Sequence, residues 1–314
     1  MAESPAVSAV IINYNGKHLL EIVLPSLAAQ TYDGFEVVVV DDGSHDGSTD
    51  YLADRWPAAR VVALAENVGV AAALNRGIAA ASGEYVALLN NDLELEPTWL
   101  AEMVAGIERH ARAATVACKL RSYQERERLD GAGDALTRAI VAGRRGHGEL
   151  DRGQYEREEE VFAPTAGAGL YRASALAEVG EFDESFFAYL EDVDWGVRAR
   201  LAGYESWYVP TAVAYHMGGA TTGERSAFFF GLLQRNRVGV IVKDLPASLI
   251  ARNLGPLVVG EARTIVYHSR RGSLRSYLRA LAAALPLIPR WLRARRSIQR
   301  RRRVSGRELG ALLT

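Results

Sequence analysis

Four apolar, largely β-branched runs lie within the first 92 residues, and each stops at a polar turn. Val7 to Ile12 runs into Asn13-Tyr14-Asn15-Gly16, and Phe35 to Val40 into Asp41-Asp42-Gly43-Ser44. Arg60 to Leu64 precedes Asn67-Val68-Gly69, and Tyr85 to Leu89 delivers Asn90-Asn91-Asp92. Between them, Leu19, Leu20, Val23, Leu24 and Leu27 recur at helical spacing, with Pro25 marking a kink. Tyr51 to Trp56 reads as a short helix, and an alanine-rich helix runs to about Ala81. Pro97 marks a further helix start, followed by Trp99, Leu100, Met103, Val104 and Ile107 on one face. This alternation specifies an α/β fold with a mostly parallel, Rossmann-like sheet flanked by helices. Open sheets of this kind place ligands outside the carboxyl ends of their strands, where these Asn and Asp residues fall. No G-x-G-x-x-G follows the first strand and no Walker loop is present, which disfavours a dinucleotide dehydrogenase and a P-loop NTPase.

The single cysteine, Cys118, lies in an apolar run and reads as a small buried hydrophobe in a reducing compartment. No secretory signal is visible, and Ala247 to Tyr267, the most apolar long stretch, is interrupted by Arg252, Glu261 and Arg263. The net charge of −1 hides a split, since residues 1–223 sum to −16 and residues 224–314 to +15. The boundary expected near Gly223 separates a domain over 1–223 from a helical, basic extension over 224–314. Within the domain, 1–120 reads as equipment for a nucleotide and 121–223 as equipment for a second substrate. Arg121 to Glu160, polar and rich in both charges, reads as a long excursion over the active-site face, in part mobile. Trp207 to Val209 and Val213 to Tyr215 read as two short strands. In the extension, Leu274, Tyr277, Leu278, Leu281 and Leu285 fall on one helical face. Eight arginines between Arg290 and Arg303 then interleave with Trp291, Leu292 and Ile298. Two readings are open for this basic tail: a helix lying on an anionic membrane surface, or a packed helix with a solvated charge run.

Taken singly, the polar residues have plain explanations. Asp41 and Asp42 suit an Asx turn, Asn67 a helix cap, and Arg76 a solvated surface. Their chemical alternatives are a carboxylate that holds a base or ribose and an arginine that meets a diphosphate. Asp92 beside Asn90 is enough for a divalent ion that also takes the substrate's phosphates. Glu191, Asp192 and Asp194 crowd three carboxylates into four positions, which suits either a helix start or a base with a raised pKa.

In combination and order these stretches are similar to the family-2 inverting glycosyltransferases of the GT-A fold. The motifs are Asn13-Tyr14-Asn15, Asp41-Asp42-Gly43-Ser44, Asn67-Val68-Gly69, Asn75-Arg76-Gly77, Asn90-Asn91-Asp92, Phe182-Asp183-Glu184 and Glu191-Asp192-Val193-Asp194. The resemblance covers roughly Val7 to Gly219 and departs at the metal motif, where Asn90 replaces the first Asp of D-x-D. It implies that Asn13, Asn15, Asp42, Asn67, Arg76 and Asn91 bind the nucleotide. Asp92, Asn90 and His216 then hold Mn²⁺ or Mg²⁺, and Asp192 is the general base. Gly167, Ala168, Gly169, Glu191 and Trp195 would shape the sugar and acceptor pockets. The implied reaction is metal-dependent inverting transfer from a UDP- or dTDP-sugar, with dTDP-rhamnose leading, because the pattern including the tail resembles bacterial rhamnosyltransferases. The acceptor is a cell-surface glycan or a polyprenyl-linked precursor, and the expected place is the cytoplasm or, peripherally, the inner face of the cell membrane. No base-reading module is seen, so nucleic acid is not an expected partner. Two alternatives stay open: a sugar nucleotidyltransferase, and a non-catalytic, membrane-associated protein that binds nucleotide sugars.

Overall fold

A computed structural model describes residues 5–164, 167–218 and 226–314. Thr165, Ala166 and Gly219, and the expected boundary at Gly223, lie outside the described residues. The first half is the expected parallel unit. Strands β1 (Val7–Asn13), β2 (Phe35–Asp41), β3 (Arg60–Ala63) and β4 (Tyr85–Asn90) stand in the order β3-β2-β1-β4. Asn13 pairs with Asp41 on one side of β1, and Ile12 with Asn90 on the other, so three strand ends are level. The order reverses at β1, which makes the crevice between β1 and β4 the switch point of the sheet.

Helices α1 (Lys17–Ala28), α2 (Ser48–Arg55), α3 (Val70–Ala80) and α4 (Trp99–Arg109) cover this half. The first of them passes through Pro25 and ends at Ala28. Burial of Leu20, Val23, Leu24 and Leu27 beneath β1 and β2 holds it. The short β5 (Leu93–Leu95) follows the Asn-Asn-Asp turn.

The second half continues the same sheet. Strand β6 (Ala113–Ser122) carries the buried Cys118, whose thiol burial pushes up to about 12. Antiparallel to it run β7 (Leu129–Ala132) and, after the β8 (Asp134–Leu136) and β9 (Ala142–Arg144) hairpin and β10 (Glu159–Glu160), β11 (Ala168–Arg172). That last strand fills the gap between β4 and β6. The 121–160 segment is therefore folded onto the domain, and the expectation of a partly mobile excursion is corrected. Its mixed charge is used in ion pairs: Asp151 with Lys119 at 3.3 Å and Arg121 at 2.6 Å, and Asp130 with Arg144. The two short strands expected after Trp207 are one, β12 (Glu205–His216), whose register against β6 shifts between Val209 and Val213, around Pro210. Proline has no amide hydrogen for the ladder, so a bulge there is its natural place.

The remaining helices are α5 (Ala173–Val179), α6 (Glu191–Leu201), α7 (Ala227–Lys243), α8 (Ala247–Arg252), α9 (Leu254–Arg270), α10 (Leu274–Ala282), α11 (Ile288–Arg301) and α12 (Gly306–Ala311). The extension shares one core with the second half of the domain: Phe186, Val193, Val197 and Leu201 pack with Val240, Trp291, Leu309 and Leu313. Trp291, the apolar anchor of the arginine-rich helix, is 0% exposed, stacks edge-on against Phe186 and donates from Nε1 to Ser185 Oγ at 3.1 Å. Trp291, with Ile288 and Ile298 partly buried beside it, thus seats α11 on the core, while Leu292 stays exposed. In α10 the buried positions are Tyr277 and Ala280, while Leu278 is exposed, as is Leu285 beyond the helix, so the packed face is rotated from the expected leucine stripe. Trp291→Ala is expected to cost about 3–5 kcal/mol in urea denaturation, because it opens a cavity between α7 and α6. A loss below about 1 kcal/mol would show that this helix is not seated there.

Candidate active site

At the ends of β1, β2 and β4, amides and carboxylates form a closed net. Asn13 donates to Asp41 Oδ2 at 2.9 Å and accepts from Asn91 Nδ2 at 2.8 Å, while Asp41 Oδ1 accepts from the amide of Ser44 at 2.9 Å. Asn13 and Asn91 are fully or almost fully buried. They brace the floor of the crevice through these mutual hydrogen bonds. Asn15, exposed and at φ +48°, accepts from the amide of His45 at 2.8 Å and so shapes the turn above them.

Asp42 turns the other way. Its two oxygens accept from the amides of Val68 at 2.8 Å and Gly69 at 3.1 Å, each retaining a lone pair. Burial raises its pKa, against those two hydrogen bonds. Beside it, Asn67 presents a buried side-chain oxygen with no partner. Gly69 is at φ +89°, and a Cβ there would stand 2.5 Å from the ring of Phe187. Only glycine lets the start of α3 meet that ring. The next motif, Asn75-Arg76-Gly77, grips Phe182-Asp183-Glu184. Asn75 bonds both backbone groups of Phe182 at 2.9 Å, and Arg76 pairs with Glu184 at 3.3 Å. Arg76 is half exposed, so this pair with Glu184 is a surface contact.

At the end of β4, the amide of Asn90 donates to the carbonyl of Gly167 at 2.8 Å, and a Cβ on Gly167 would meet the Asn90 side chain at 2.4 Å. Ala168 and Gly169, by contrast, are buried in β11 between β4 and β6, so of that trio only Gly167 borders the crevice. Asp92 has one buried oxygen without a partner. Pairing of β12 with β5 sets His216 opposite Leu93, and its Nε2 lies 3.3 Å from the other oxygen of Asp92. On the far side, His216 Nδ1 is 2.8 Å from Asp130 Oδ2. Burial opposes protonation of His216, but Asp130 and Asp92 overcome it and hold its pKa near 10. Asp130 stood out in no sequence pattern, and only the return of β7 beside β12 reveals it. His216 is thus held protonated between the two carboxylates, and a divalent ion would bind by displacing its Nε2 proton, with Asp130 orienting the imidazole from behind and phosphate supplying the remaining ligands. Among the described residues no group of three or more His, Cys, Asp or Glu side chains is arranged to hold a metal by itself.

The acidic run at the start of α6 separates into three environments. Asp194 is 0% exposed and neutralised by Arg198 at 3.0 Å and by Lys243. Glu191 is buried, and that burial together with Asp192 pushes its pKa up to about 8. Asp192 alone is half-buried, with a face toward solvent. Trp195, 1% exposed, donates to the carbonyl of Gly180 at 3.0 Å and packs on Tyr171 and Phe182. It packs within the core beside the first turn of α6.

The loop before α6 is strained and held from the extension. Phe187, Tyr189 and Leu190 all have left-handed φ, and Phe187 centres a γ-turn closed by Ala188 N to Phe186 O at 2.8 Å. Each such residue costs about 1–3 kcal/mol and needs surroundings that impose it. Asn236 of α7, 0% exposed, supplies them, donating its amide hydrogens among the carbonyls of Phe186, Ala188 and Tyr189 at 2.7 to 2.9 Å. Lys243 at the other end of that helix pairs with Asp183 at 2.7 Å as well as with Asp194. The same loop caps the start of α3, where the carbonyl of Phe187 accepts from Ala71 at 3.1 Å. An unbroken line of contacts thus runs from Asp42 through Gly69 and Phe187 to the first turn of α6.

A sequence model of glycosyl transferase family 2 matches residues 8–180, more than half of the chain. The chain belongs to glycosyl transferase family 2. This family-2 enzyme is of the inverting class, on a GT-A sheet. It is 29% identical over 245 residues to the N-acetylglucosaminyl-diphospho-decaprenol L-rhamnosyltransferase of Mycobacterium tuberculosis, covering 69% of this chain and 78% of that protein. To protein y4gI of Sinorhizobium fredii it is 31% identical over 238 residues, 71% of this chain but 26% of the relative's length. Among solved structures, S. aureus TarS in complex with UDP matches with TM-score 0.55 and 17% identity, over 88% of this chain and 90% of that one. The Pyrobaculum calidifontis mannosyltransferase PcManGT, solved with GDP-Man and Mn²⁺, matches with TM-score 0.53 and 19% identity, over 96% and 86%. At those identities the structural likeness speaks for the fold.

Two measurements check the site. Lys243→Met leaves Asp194 buried without its lysine and is expected to cost about 3–5 kcal/mol in denaturation at pH 7. Despite burial, Lys243 and Ser185 hold Asp183 near 2, so its contribution is complete above pH ~4 and fades as pH falls toward that value. The variant should flatten this acid limb. Glu191 has the opposite sign: its raised pKa favours folding fully below its unfolded value, and the gain is lost as pH rises through about 8. Glu191→Gln should therefore melt close to wild type at acid pH and above it at alkaline pH. Equal melting temperatures at both extremes would refute the assignment.

Proposed function

We propose that this family-2 enzyme transfers a sugar from a UDP- or dTDP-sugar to a hydroxyl of a cell-surface glycan or its polyprenyl-linked precursor. dTDP-rhamnose is the leading donor, supported by the relative named as a decaprenol-linked rhamnosyltransferase. The observation that carries the reading is Asp92, whose unpartnered buried oxygen faces the switch-point crevice beside His216. In this reading the nucleoside lies over the Asn13 net between Asp42 and Asn67. Asp92 and His216, with Asn90 adjoining, hold Mn²⁺ or Mg²⁺, which supplies charge neutralisation at the departing diphosphate. Solved structures of similar fold carry Mn²⁺ with a nucleotide or nucleotide sugar.

The acceptor arrives at the first turn of α6. Asp192 takes the proton of its hydroxyl as that oxygen bonds the anomeric carbon and the bond to the diphosphate breaks. A single displacement inverts the centre. Glu191, neutral at pH 7, donates toward the acceptor instead of competing for that proton. A polyprenyl-linked acceptor would place the protein in the cytoplasm, peripherally on the inner face of the cell membrane. Residues 1–223 form the transferase in this scheme, in a nucleotide-binding half (1–120) and an acceptor half (121–223), and 224–314 the extension that holds its acceptor loop.

Nucleotide sugars screened by thermal shift with Mn²⁺ or Mg²⁺ test the donor. The true donor at a hundred times its Kd should stabilise the fold by about 2.7 kcal/mol, and Asp92→Ala should abolish the metal-dependent part. Asp192→Asn should bind the donor normally and lower transfer by about 10²- to 10⁴-fold. Normal transfer by Asp192→Ala would sink the assignment of the base. Donor binding without transfer or diphosphate release in wild type would favour the non-catalytic alternative.

A further inference from the structure

Among the described residues no side chain of α9 is buried, although the helix is 17 residues long. Its outer face exposes Leu254, Val258, Val259, Ile265, Val266 and Tyr267. Of fourteen exposed large hydrophobic residues among those described, eleven lie from Phe228 onward, so the uncovered apolar surface is concentrated in the extension. A face of this kind is not the ordinary scatter of single surface hydrophobics. The other face of α9 is attached: Gly260 lies against Ala139, and Glu261 pairs with Arg237 at 3.0 Å and accepts from the hydroxyl of Tyr277.

Charge separates the possible occupants. From Ala247 to Arg307 the chain carries fifteen arginines and a single acidic residue, Glu261, which is engaged in those inner contacts. Val259, Val266 and Tyr267 line a shallow apolar depression together with Arg263, Arg270 and Arg271. A second copy of the chain packed on the same face would set these arginines against one another. No described helix is long and apolar enough to cross a bilayer. Apolar side chains rimmed by cations suit a helix lying in the plane of a negatively charged lipid surface.

We infer that the outer face of α9 is a docking surface for an anionic lipid bilayer. The contact falls to α9 and not to the arginine-rich α11, whose Trp291 is buried in the core and which exposes only Leu292 among its large apolar residues. Val259 and Val266 enter the headgroup boundary while Arg263, Arg270 and Arg271 meet lipid phosphates. The inference deepens the peripheral location offered above and rests on it only for its biological sense, since vesicle binding needs no sugar transfer.

The full chain is sedimented with phosphatidylcholine vesicles, with and without about 30 mol% phosphatidylglycerol. Binding is expected on the anionic vesicles, near background on phosphatidylcholine alone, and weakened by salt. Val259→Glu/Val266→Glu and the milder Val259→Ser/Val266→Ser should each lower the partition, the first by about tenfold or more, with melting temperature and donor-induced shift unchanged. Asp192→Asn should bind vesicles like wild type, which separates a failure of the catalytic reading from a failure of this one. Wild-type binding retained by both valine variants would overturn the proposal, as would no binding to anionic vesicles. A concentration-dependent dimer in light scattering, lost in the same variants, would assign the face to a second copy instead.

Discussion

Lys243 carries a single positive charge into a site with almost no water, where it meets Asp183 and Asp194, while Asp244 lies against Asp194. Burial, and then Asp194, raises the pKa of Asp244, so the cluster avoids a third bare negative charge. Buried ions of this kind are costly unless paired, and the pairing here joins parts of the chain far apart in sequence. Asp183 belongs to the motif gripped by Asn75, Asp194 to the helix of Asp192, and Lys243 to the extension. The last third of the chain is therefore part of the scaffold of the candidate base.

Around that pairing, the donor and acceptor sides are mechanically continuous. Asp42 fixes the amides of Val68 and Gly69, Gly69 admits Phe187, and Asn236 holds the carbonyls that bring Phe187, Tyr189 and Leu190 into left-handed backbone. Side chains that look like ligand contacts are thus divided between two tasks. Asn13 and Asn91 brace protein against protein, whereas Asn67 and Asp92 keep buried oxygens unfilled. An unpaired buried acceptor is costly in an empty site, and a bound ligand removes that cost.

The charge split is resolved in the same uneven way. Several acidic residues of the domain are held in ion pairs, as in Asp151, Asp130 and Glu160 with their lysine and arginine partners. Among the described residues of the extension, Arg237, Arg290 and Arg303 pair with carboxylates and most other arginines do not, and several of these accompany the exposed apolar residues of α9 and α10.

The parallel sheet was legible in residues 7–92 because buried strands must be apolar throughout and must end where the backbone turns. The ends of those strands located the crevice, since ligands in such sheets gather at their carboxyl edge. Roles within it were less legible. Trp195 and Ala168 lie near the site in sequence and yet are buried, because a motif records which residues are near the site but not which way each points. Asp130, Asn236 and Lys243 carry no local signature, because their partners lie on other strands and helices. The uncovered face of α9 was equally hidden: periodicity shows that a helix has an apolar side, but only the packing of its neighbours decides which sides remain bare. The chain by itself determined the sheet, its switch point and the family of its motifs. Tertiary structure decided which polar groups are free, since burial and pairing depend on residues that are distant in sequence and adjacent in space.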